Sequence, residues 1–359
     1  MLHDAKPESA PKSPSEPSPS AAAPSALVSA GRQTYGRFCT TPERANLLDA
    51  PFLKLPRGIR KWRLKEWQAV QISTPELFMN LALFDAKIMS LVQVKIYDKR
   101  RGQKHVFERK LPPLSMQIAD TLQHSHNGYA GSKVVLAFDN RAALGYLDAL
   151  IDLEGEGKRP RISGKLRLDM RGGAPHVVSM PLVDGGMYSH KGMFPVGGRL
   201  IIGDTTHDLA EEGGLALLDD HKGYYPYVML WDWLTSAKRD ADGVGWGFNL
   251  TRNQCREPSR YNENCVWRED RFGTLPEVRF ERRNEGKPDE VWLVRDDSGR
   301  VDVEFRPTVP GDVRVNALVV ESRYRGPFGH VRGRLAADGL PELVLDDWFG
   351  MGEAFHLRC

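Results

Sequence analysis

Short segments in which apolar and polar residues alternate run through the chain from Trp62 onward. This period of two is typical of antiparallel strands that bury one face, because successive side chains point to opposite sides of a strand. Helical periodicity is scarce, and turn sequences such as Asp98–Gly102 separate the segments. The first predicted series of strands is Leu77–Phe84, Ile88–Tyr97, Lys104–Arg109, Val134–Phe138, Tyr146–Leu153, Ile162–Met170 and Val177–Pro181. The second is Met193–Val196, Leu200–Ile202, Gly214–Leu218, Tyr227–Trp233, Gly245–Leu250, Cys265–Arg268, Val278–Arg283, Val291–Val294, Val301–Phe305, Ala317–Tyr324, Val331–Leu335 and Leu343–Leu345.

Many short strands of nearly even spacing, with almost no helices between them, favour antiparallel barrels over a parallel α/β sheet. A chain of 359 residues has room for two such units. We therefore predict an all-β fold of two antiparallel β-barrels in tandem, over 31–185 and 186–359. The boundary is placed at the Gly-rich turn Asp184–Gly186. A barrel of eight or more strands leaves an interior wide enough for one small ligand.

Residues 1–30 are rich in Pro, Ser and Ala, and their few apolar side chains do not offset the entropy of ordering them. The sequence therefore predicts a disordered N-terminal tail. Prolines together with Glu8 and Glu16 interrupt the region where a signal peptide carries its apolar block, so we expect a cytoplasmic protein. No apolar run approaches the ~18–20 residues of a membrane-spanning helix, so we expect no integral membrane association.

Composition narrows the function classes without naming one. Lys and Arg number 50 against 47 Asp and Glu, and acidic residues interleave with the basic stretches, so we expect no nucleic-acid partner. The four cysteines lack Cys-x-x-Cys spacing, which disfavours a zinc ribbon or a redox pair and predicts free thiols. The glycine motifs of nucleotide and dinucleotide sites and the Gly-x-Ser-x-Gly elbow are absent, so we expect no cofactor. The oligomeric state stays open.

The densest group of reactive residues follows Leu218. Carboxylates beside an imidazole and a phenol are the groups that general acid–base chemistry uses. Asp219, His221 and Tyr224 are therefore candidate catalytic residues, and Lys222 is a candidate ligand-binding residue. The alternative is that Asp219 caps a turn while His221 and Lys222 are solvated in a loop.

Aromatic residues continue this group toward the next predicted strand. Trp231 and Trp233 are two positions apart, so on a strand they share one face, with Asp232 on the other. Together with Tyr225 they are candidates for the wall of an apolar pocket. The alternative is that these rings only fill a barrel core.

Two further segments offer polar ligand-binding candidates. His190 and Lys191 precede a predicted strand; a metal site combining His190 with Asp204 and His207 lacks compact ligand spacing, and we expect no metal. Asn249 lies between two apolar strand residues, and a buried amide without a partner costs about 1–3 kcal/mol. We therefore expect Asn249 to pair with Glu263, next to Asn264, in a network that either orients a ligand or is purely structural.

An ordered series of short motifs resembles an uncharacterised bacterial family of domains of unknown function, from about Asn46 to His356. The motifs are Thr74–Phe78, Ser189–Lys191, Asp219, Lys222–Gly223, Tyr225–Tyr227, Trp231, Trp233, Gly247–Leu250, Glu263–Asn264, Glu353 and His356. The family looks distantly similar to tandem lipocalin-like proteins that include carotenoid hydratases. The resemblance implies two lipocalin-like barrels with a pocket for a lipophilic ligand. The sequence departs from the family pattern at Asp220 and His221 and again at Cys359.

Three hypotheses follow. The leading one is a protein that binds a small lipophilic molecule in a pocket lined by Trp231, Trp233 and Tyr225, with Asn249, Glu263 and Lys191 orienting its polar end. The alternative is a cofactor-independent lyase, hydratase or isomerase that acts on an unsaturated lipophilic substrate, with Asp219 as the acid and Tyr224 or His221 assisting. The third is a protein-interaction scaffold that recruits partners through its tail and barrel rim.

Overall fold

The computed structural model describes residues 21–51, 54–317 and 320–358. Within these ranges, helical structure is limited to α1 (Arg57–Arg63), α2 (Pro258–Tyr261) and the 3₁₀ turns Leu47–Asp49, Ala142–Leu144 and Met170–Gly172. No helix in the described ranges has the length and apolar character needed to cross a membrane. The remaining regular structure consists of β-strands, as the alternation of apolar and polar residues predicts.

The predicted tail falls partly outside the described residues, which begin at residue 21. Residues 21–30, which the sequence places in the tail, instead pack on the fold. Leu27 and Val28 are buried, and the backbone N–H of Leu27 donates to the carbonyl of Arg44. A short ribbon of β1 (Val28–Ser29) and β2 (Arg32–Gln33) follows.

The first large sheet is antiparallel and has 13 strands, in the order β7-β6-β5-β4-β15-β13-β11-β10-β9-β8, with β3, β12 and β14 attached beside this path. Its strands are β3 Gly36–Phe38, β4 Lys65–Ser73, β5 Leu77–Asp85, β6 Ser90–Asp98, β7 Gln103–Leu111, β8 Ser125–Gly131, β9 Val134–Arg141, β10 Tyr146–Leu153, β11 Ile162–Asp169, β12 Ala174–Pro181, β13 Gly186–Ile202, β14 Thr205–Asp208 and β15 Leu215–Gly223.

The second sheet is also antiparallel and has 11 strands, in the order β19-β18-β17-β16-β26-β25-β22-β21-β20, with β23 and β24 joined to β26 beside this path. Its strands are β16 Val228–Arg239, β17 Gly245–Arg252, β18 Cys265–Arg268, β19 Arg271–Thr274, β20 Arg279–Arg283, β21 Val291–Arg295, β22 Val301–Val309, β23 Asp312–Ala317, β24 Val320–Arg325, β25 Phe328–Leu335 and β26 Leu343–Arg358.

The prediction of an all-β chain with two barrel-like antiparallel units in tandem is confirmed, since each sheet curls into a half-barrel. The predicted boundary at 185/186 lies between β12 and β13, and both strands belong to the first sheet. The chain passes to the second sheet between Gly223 and Val228. The Gly-rich turn at Asp184–Gly186 is therefore a hairpin within one unit, because β12 and β13 pair with each other.

Each sheet joins its first long strand to its last. β4 pairs with β15 in the first sheet, and β16 pairs with β26 in the second. We call these two pairs the seams. The seams also approach each other, because β16 contacts both β4 and β15. Residues far apart in sequence are brought together at this junction.

Alternation along the seam strands separates a core face from a face toward the second sheet. On β4, Val70 and Ile72 are fully buried in the core of the first sheet, whereas Trp67, Ala69 and Gln71 point the other way. Ala216 and Leu218 of β15 face the same core, which leaves the odd-numbered residues of that strand toward the second sheet. The second sheet has a separate core built around residues such as Phe248, Trp292 and Phe305.

Candidate functional site

A cavity lies where the two seams meet. Its larger part has a volume of about 140 Å³ and runs along the face of β4 to β7 that is turned away from the first core. A smaller part of about 40 Å³ continues toward Lys191 and His221. Both parts are lined by Trp67, Asp219, Trp231, Trp233 and Glu353. The two compartments therefore form one site around these shared residues.

The smaller compartment ends on a cluster of buried charged side chains. Lys191 Nζ lies 2.5 Å from Asp219 Oδ1 and 3.8 Å from Glu263 Oε1. His221 Nε2 lies 2.8 Å from the same Asp219 oxygen and 3.3 Å from the same Glu263 oxygen. The four side chains are each less than one-tenth exposed. We call Lys191, Asp219, His221 and Glu263 the charged cluster.

The charged cluster keeps Asp219 ionised. Burial acts to raise the pKa of Asp219, but Lys191 and His221 outweigh it through charge and hydrogen bonding, and the pKa falls well below its ordinary value. Burial likewise acts to lower the pKa of Lys191, but Asp219 and Glu263 raise it above its ordinary value. Paired opposite charges are the arrangement that makes buried ions tolerable.

Aromatic rings cover the charged cluster on its open side. The indole of Trp67 stacks on His221, with ring centroids 4.4 Å apart, and its Nε1 donates to Asp219 Oδ2 at 3.2 Å. Trp231 stacks in turn on Trp67 at 5.4 Å. Tyr225 packs beside Trp67 and sits against Gly223, where a Cβ would lie 2.7 Å from its ring. The glycine thus makes room for the tyrosine wall of the site.

Another carboxyl group, that of Glu353, faces the same cavity from the second sheet. Glu353 on β26 accepts hydrogen bonds from Trp231 Nε1 at 3.2 Å and from the Tyr324 hydroxyl at 2.7 Å. Burial raises the pKa of Glu353, the charge of Asp219 adds to the rise, and Tyr324, Trp231 and Lys95 oppose it without cancelling it. Glu353 therefore holds its proton at higher pH than an ordinary glutamic acid.

The cavity thus contains two carboxyl groups whose pKa values move in opposite directions. Asp219 is ionised and accepts protons, whereas Glu353 is biased toward the neutral acid that donates one. When the pKa values of two neighbouring carboxyl groups are shifted apart, one group can act as an acid and the other as a base.

The structure brings seven of the predicted site residues to the cavity and its charged end. They are Lys191, Asp219, His221, Tyr225, Trp231, Trp233 and Glu263. The shared face predicted for Trp231 and Trp233 is present, and Asp232 points the other way to pair with Arg252 and Arg282.

Three predicted site residues lie on the opposite side of the first sheet. His190 lies 3.5 Å from the Thr41 hydroxyl, Lys222 pairs with Glu66 at 3.1 Å, and Tyr224 packs in a separate apolar cluster. The sequence suggested turns or loops at these positions, but His190 and Lys222 are within β13 and β15. Strand alternation therefore turns His190 away from Lys191, and Lys222 away from His221.

The two predicted asparagines support the site from behind. Asn249 Oδ1 accepts from Trp233 Nε1 at 2.6 Å, and its Nδ2 donates to the backbone carbonyl of Glu263 at 2.9 Å. The expected pairing of Asn249 with Glu263 is therefore to the main chain, and the Glu263 carboxylate instead accepts from Asn253 at 2.8 Å. Asn264 fixes its own loop by bonding the N–H of residue 251 and the carbonyl of residue 276.

Several residues of the site were not among the sequence candidates: Trp67, Gln71, Tyr324 and Glu353. Glu353 belongs to the motif series of the family resemblance, which is the one signal that marks it. Trp67 gives no such signal, because its role depends on the register that places it opposite His221 across β4 and β15.

Among the described residues, one group of His and Glu side chains holds its donor atoms close enough together for a metal ion. This group lies apart from the cavity. Glu76, His207 and Glu212 hold their donor atoms within 4.8 Å of one another. His207 Nδ1 lies 2.9 Å from Glu212 Oε1. The sequence analysis considered His207 together with His190 and Asp204. In the structure His207 instead lies with Glu76 and Glu212.

Solved structures similar to this chain include three that each match 82% of its length. CghA is 13% identical over 88% of its own chain, with a TM-score of 0.49. Kievitone hydratase from Nectria haematococca is 8% identical over 88% of its chain, with a TM-score of 0.47. A putative AttH from Nitrosomonas europaea is 13% identical over 93% of its chain, with a TM-score of 0.44.

No curated protein matches the chain in sequence. The predicted resemblance to a family of unknown function is confirmed by a sequence profile that matches residues 43–358. The chain therefore belongs to the family described as domain of unknown function DUF2804.

Proposed function

We propose that this protein binds a small, largely apolar molecule in the cavity between the two seams. The observation that carries the proposal is a cavity with aromatic walls that ends on buried, paired charges. Ligand sites commonly combine an apolar lining with a few polar groups that fix orientation. Trp67, Trp231 and Trp233 supply the apolar surface, and the charged cluster supplies the polar end.

A second candidate function is cofactor-independent acid–base catalysis on an unsaturated lipophilic substrate, by a lyase, hydratase or isomerase. The opposite pKa shifts of Asp219 and Glu353 favour it. These shifts do not fit the acid role that the sequence suggested for Asp219, because Glu353 is the carboxyl group that retains a proton to give and Asp219 is the one that is ionised. His221 assists by donating to Asp219, whereas Tyr224 faces the other side of the sheet.

The chemistry of this candidate is the addition or removal of water at a carbon–carbon double bond, or migration of that bond. In hydration Glu353 gives its proton to one alkene carbon, while Asp219 accepts a proton from the water whose oxygen bonds to the other carbon; dehydration is the reverse of this step. In bond migration Asp219 instead accepts the proton that leaves the allylic carbon. Lys191 keeps Asp219 ionised until Asp219 takes up that proton. The scaffold hypothesis gains no support from this cavity, and its tail lies mostly outside the described residues.

Loss of the aromatic wall tests the binding proposal. The double variant Trp231→Ala, Trp233→Ala removes two indoles that line both compartments. We expect toluene to bind it at least tenfold more weakly in calorimetric titration, since each lost ring removes apolar contact area. The matched control is Trp62→Ala, because that ring is 45% exposed on the surface. Equal affinity of the double variant and the wild type would remove the cavity from ligand binding.

The acid role of Glu353 predicts a pH dependence with a definite sign. Because its folded-state pKa is raised, Glu353 is protonated below that value and loses its proton as pH rises through it. We therefore expect turnover to fall on the alkaline side in wild type. Glu353→Gln keeps the hydrogen-bonding shape but has no proton to give, so its residual rate loses this alkaline limb. A wild-type rate profile in the variant would contradict the role.

A further inference from the structure

The wall of the cavity formed by the first sheet carries amide side chains as well as apolar ones. Gln71 on β4, Asn80 on β5 and Gln93 on β6 all line the larger compartment. The three are each less than one-twentieth exposed. Ala69 and Ala82 lie beside them on the same face and leave space in front of the amides. One side of the cavity is therefore polar, and the opposite side is aromatic.

Hydrogen bonds hold two of these amides in place and identify an atom that lacks a partner. Gln71 Nε2 donates to Asn80 Oδ1 at 2.7 Å, so the amide of Gln71 is held in one orientation. Its carbonyl oxygen Oε1 is buried and has no hydrogen-bond partner among the residues that the structure describes. Gln93 is oriented differently, because its Nε2 donates to Glu108 Oε2 at 2.9 Å.

A buried amide oxygen without a partner is unfavourable, and such atoms in native proteins are commonly satisfied by water or a ligand. We propose that Gln71 Oε1 accepts a hydrogen bond from a hydroxyl or N–H group on the bound molecule. The inference rests on the proposed function and adds to it a substrate class: a neutral, ring-sized apolar molecule with one hydrogen-bond donor at the end remote from the charged cluster.

Strand geometry gives the distance between Gln71 and Asp219, and therefore between the ligand's donor and the charged cluster. Asp219 pairs in register with Ala69, and Gln71 lies two residues farther along β4 on the same face. With a rise of ~3.3 Å per residue and a strand spacing of ~4.8 Å, the two positions are on the order of 8 Å apart. The cavity volume of about 140 Å³ also suits a single ring, since an apolar cavity of about 150 Å³ takes benzene.

Phenol and toluene test this assignment because they have nearly the same shape and differ in one donor. The measured quantity is the ratio of the two dissociation constants, obtained by calorimetric titration of the full chain. In Gln71→Leu the acceptor is lost and an apolar surface replaces it. We expect the ratio to shift toward toluene by about tenfold or more, while the far-UV circular dichroism stays that of the folded protein.

The matched control is Gln103→Leu, which changes the same residue type at an exposed position on β7 outside the cavity lining. We expect its ratio to stay within twofold of wild type. A shift in Gln103→Leu as large as that in Gln71→Leu would overturn the assignment to Gln71. If both probes bind wild type but Gln71→Leu leaves the ratio unchanged, this inference fails and the proposed function stands. If neither probe binds, the proposed function fails and this inference fails with it.

Discussion

Lys191→Met is expected to destabilise the folded protein by about 3–5 kcal/mol at pH 7, because it removes the cation from a buried charged cluster. The Lys191 side chain is 5% exposed and faces two carboxylates, Asp219 and Glu263. Without it, these buried anions keep only His221 as a basic neighbour. Chemical denaturation at pH 7, followed by circular dichroism, measures the loss.

The pH dependence of this loss has a predicted sign. In wild type the lowered pKa of Asp219 gives stability that is present above its unfolded-state pKa and disappears as pH falls. In Lys191→Met the cation that offsets the burial of Asp219 is missing, so protonation of Asp219 stabilises the folded variant. The difference in the free energy of unfolding between variant and wild type therefore narrows toward pH 4. Adding Asp219→Asn to Lys191→Met should recover part of the loss.

An exposed ion pair supplies the matched control for Lys191. Lys165 is 70% exposed and lies 3.7 Å from Asp148. We expect Lys165→Met to change stability by less than about 1 kcal/mol. A loss for Lys191→Met no larger than that for Lys165→Met would show that the charged cluster is not held together by Lys191.

Asp219→Asn is expected to lower the rate of proton transfer by about 10²–10⁴-fold while changing ligand affinity by less than about tenfold. The amide keeps the size of the carboxylate and can still contact Lys191, His221 and Trp67, but it is not a base. The measurement is deuterium incorporation from D₂O into small aryl alkenes such as styrene, followed by NMR. Hydration and bond migration both place solvent hydrogen on carbon, so one readout covers both reactions.

Asp152→Asn is the control for this experiment. Asp152 is 43% exposed and pairs with Arg161 on the surface of the first sheet. We expect it to incorporate deuterium at the wild-type rate. Incorporation by Asp219→Asn at that same rate would assign the chemistry to other groups and leave Asp219 a structural role.

The all-β architecture could be predicted because it depends on local alternation. Apolar and polar residues alternate along segments such as Ile88–Tyr97 and Tyr146–Leu153, and the structure has strands there at Ser90–Asp98 and Tyr146–Leu153. The sheet to which β13 and β15 belong could not be predicted in this way. It depends on both strands pairing back into the first sheet, which is a long-range property of register.

The candidate site was predicted in part for the same reason. Asp219 and His221 were singled out by residue type, but the predicted strand ended at Leu218, whereas β15 runs on to Gly223. Extending that strand turns Lys222 to the opposite face, where Glu66 meets it. Trp67 and Glu353 complete the site from opposite ends of the chain, and only the pairing of each sheet's first and last strands brings them together.

The most direct test of a ligand site between the seams is a two-dimensional NMR titration of the tryptophan indole N–H signals with toluene. The chain has 8 tryptophans. Their side chains lie at the cavity, in the core of the second sheet, in a smaller apolar cluster and on the surface. We predict that the signals of Trp67, Trp231 and Trp233 shift as toluene is added. The signals of Trp62, Trp246, Trp267, Trp292 and Trp348 should stay in place. Shifts confined to these five, or no shift at millimolar toluene, would contradict the account.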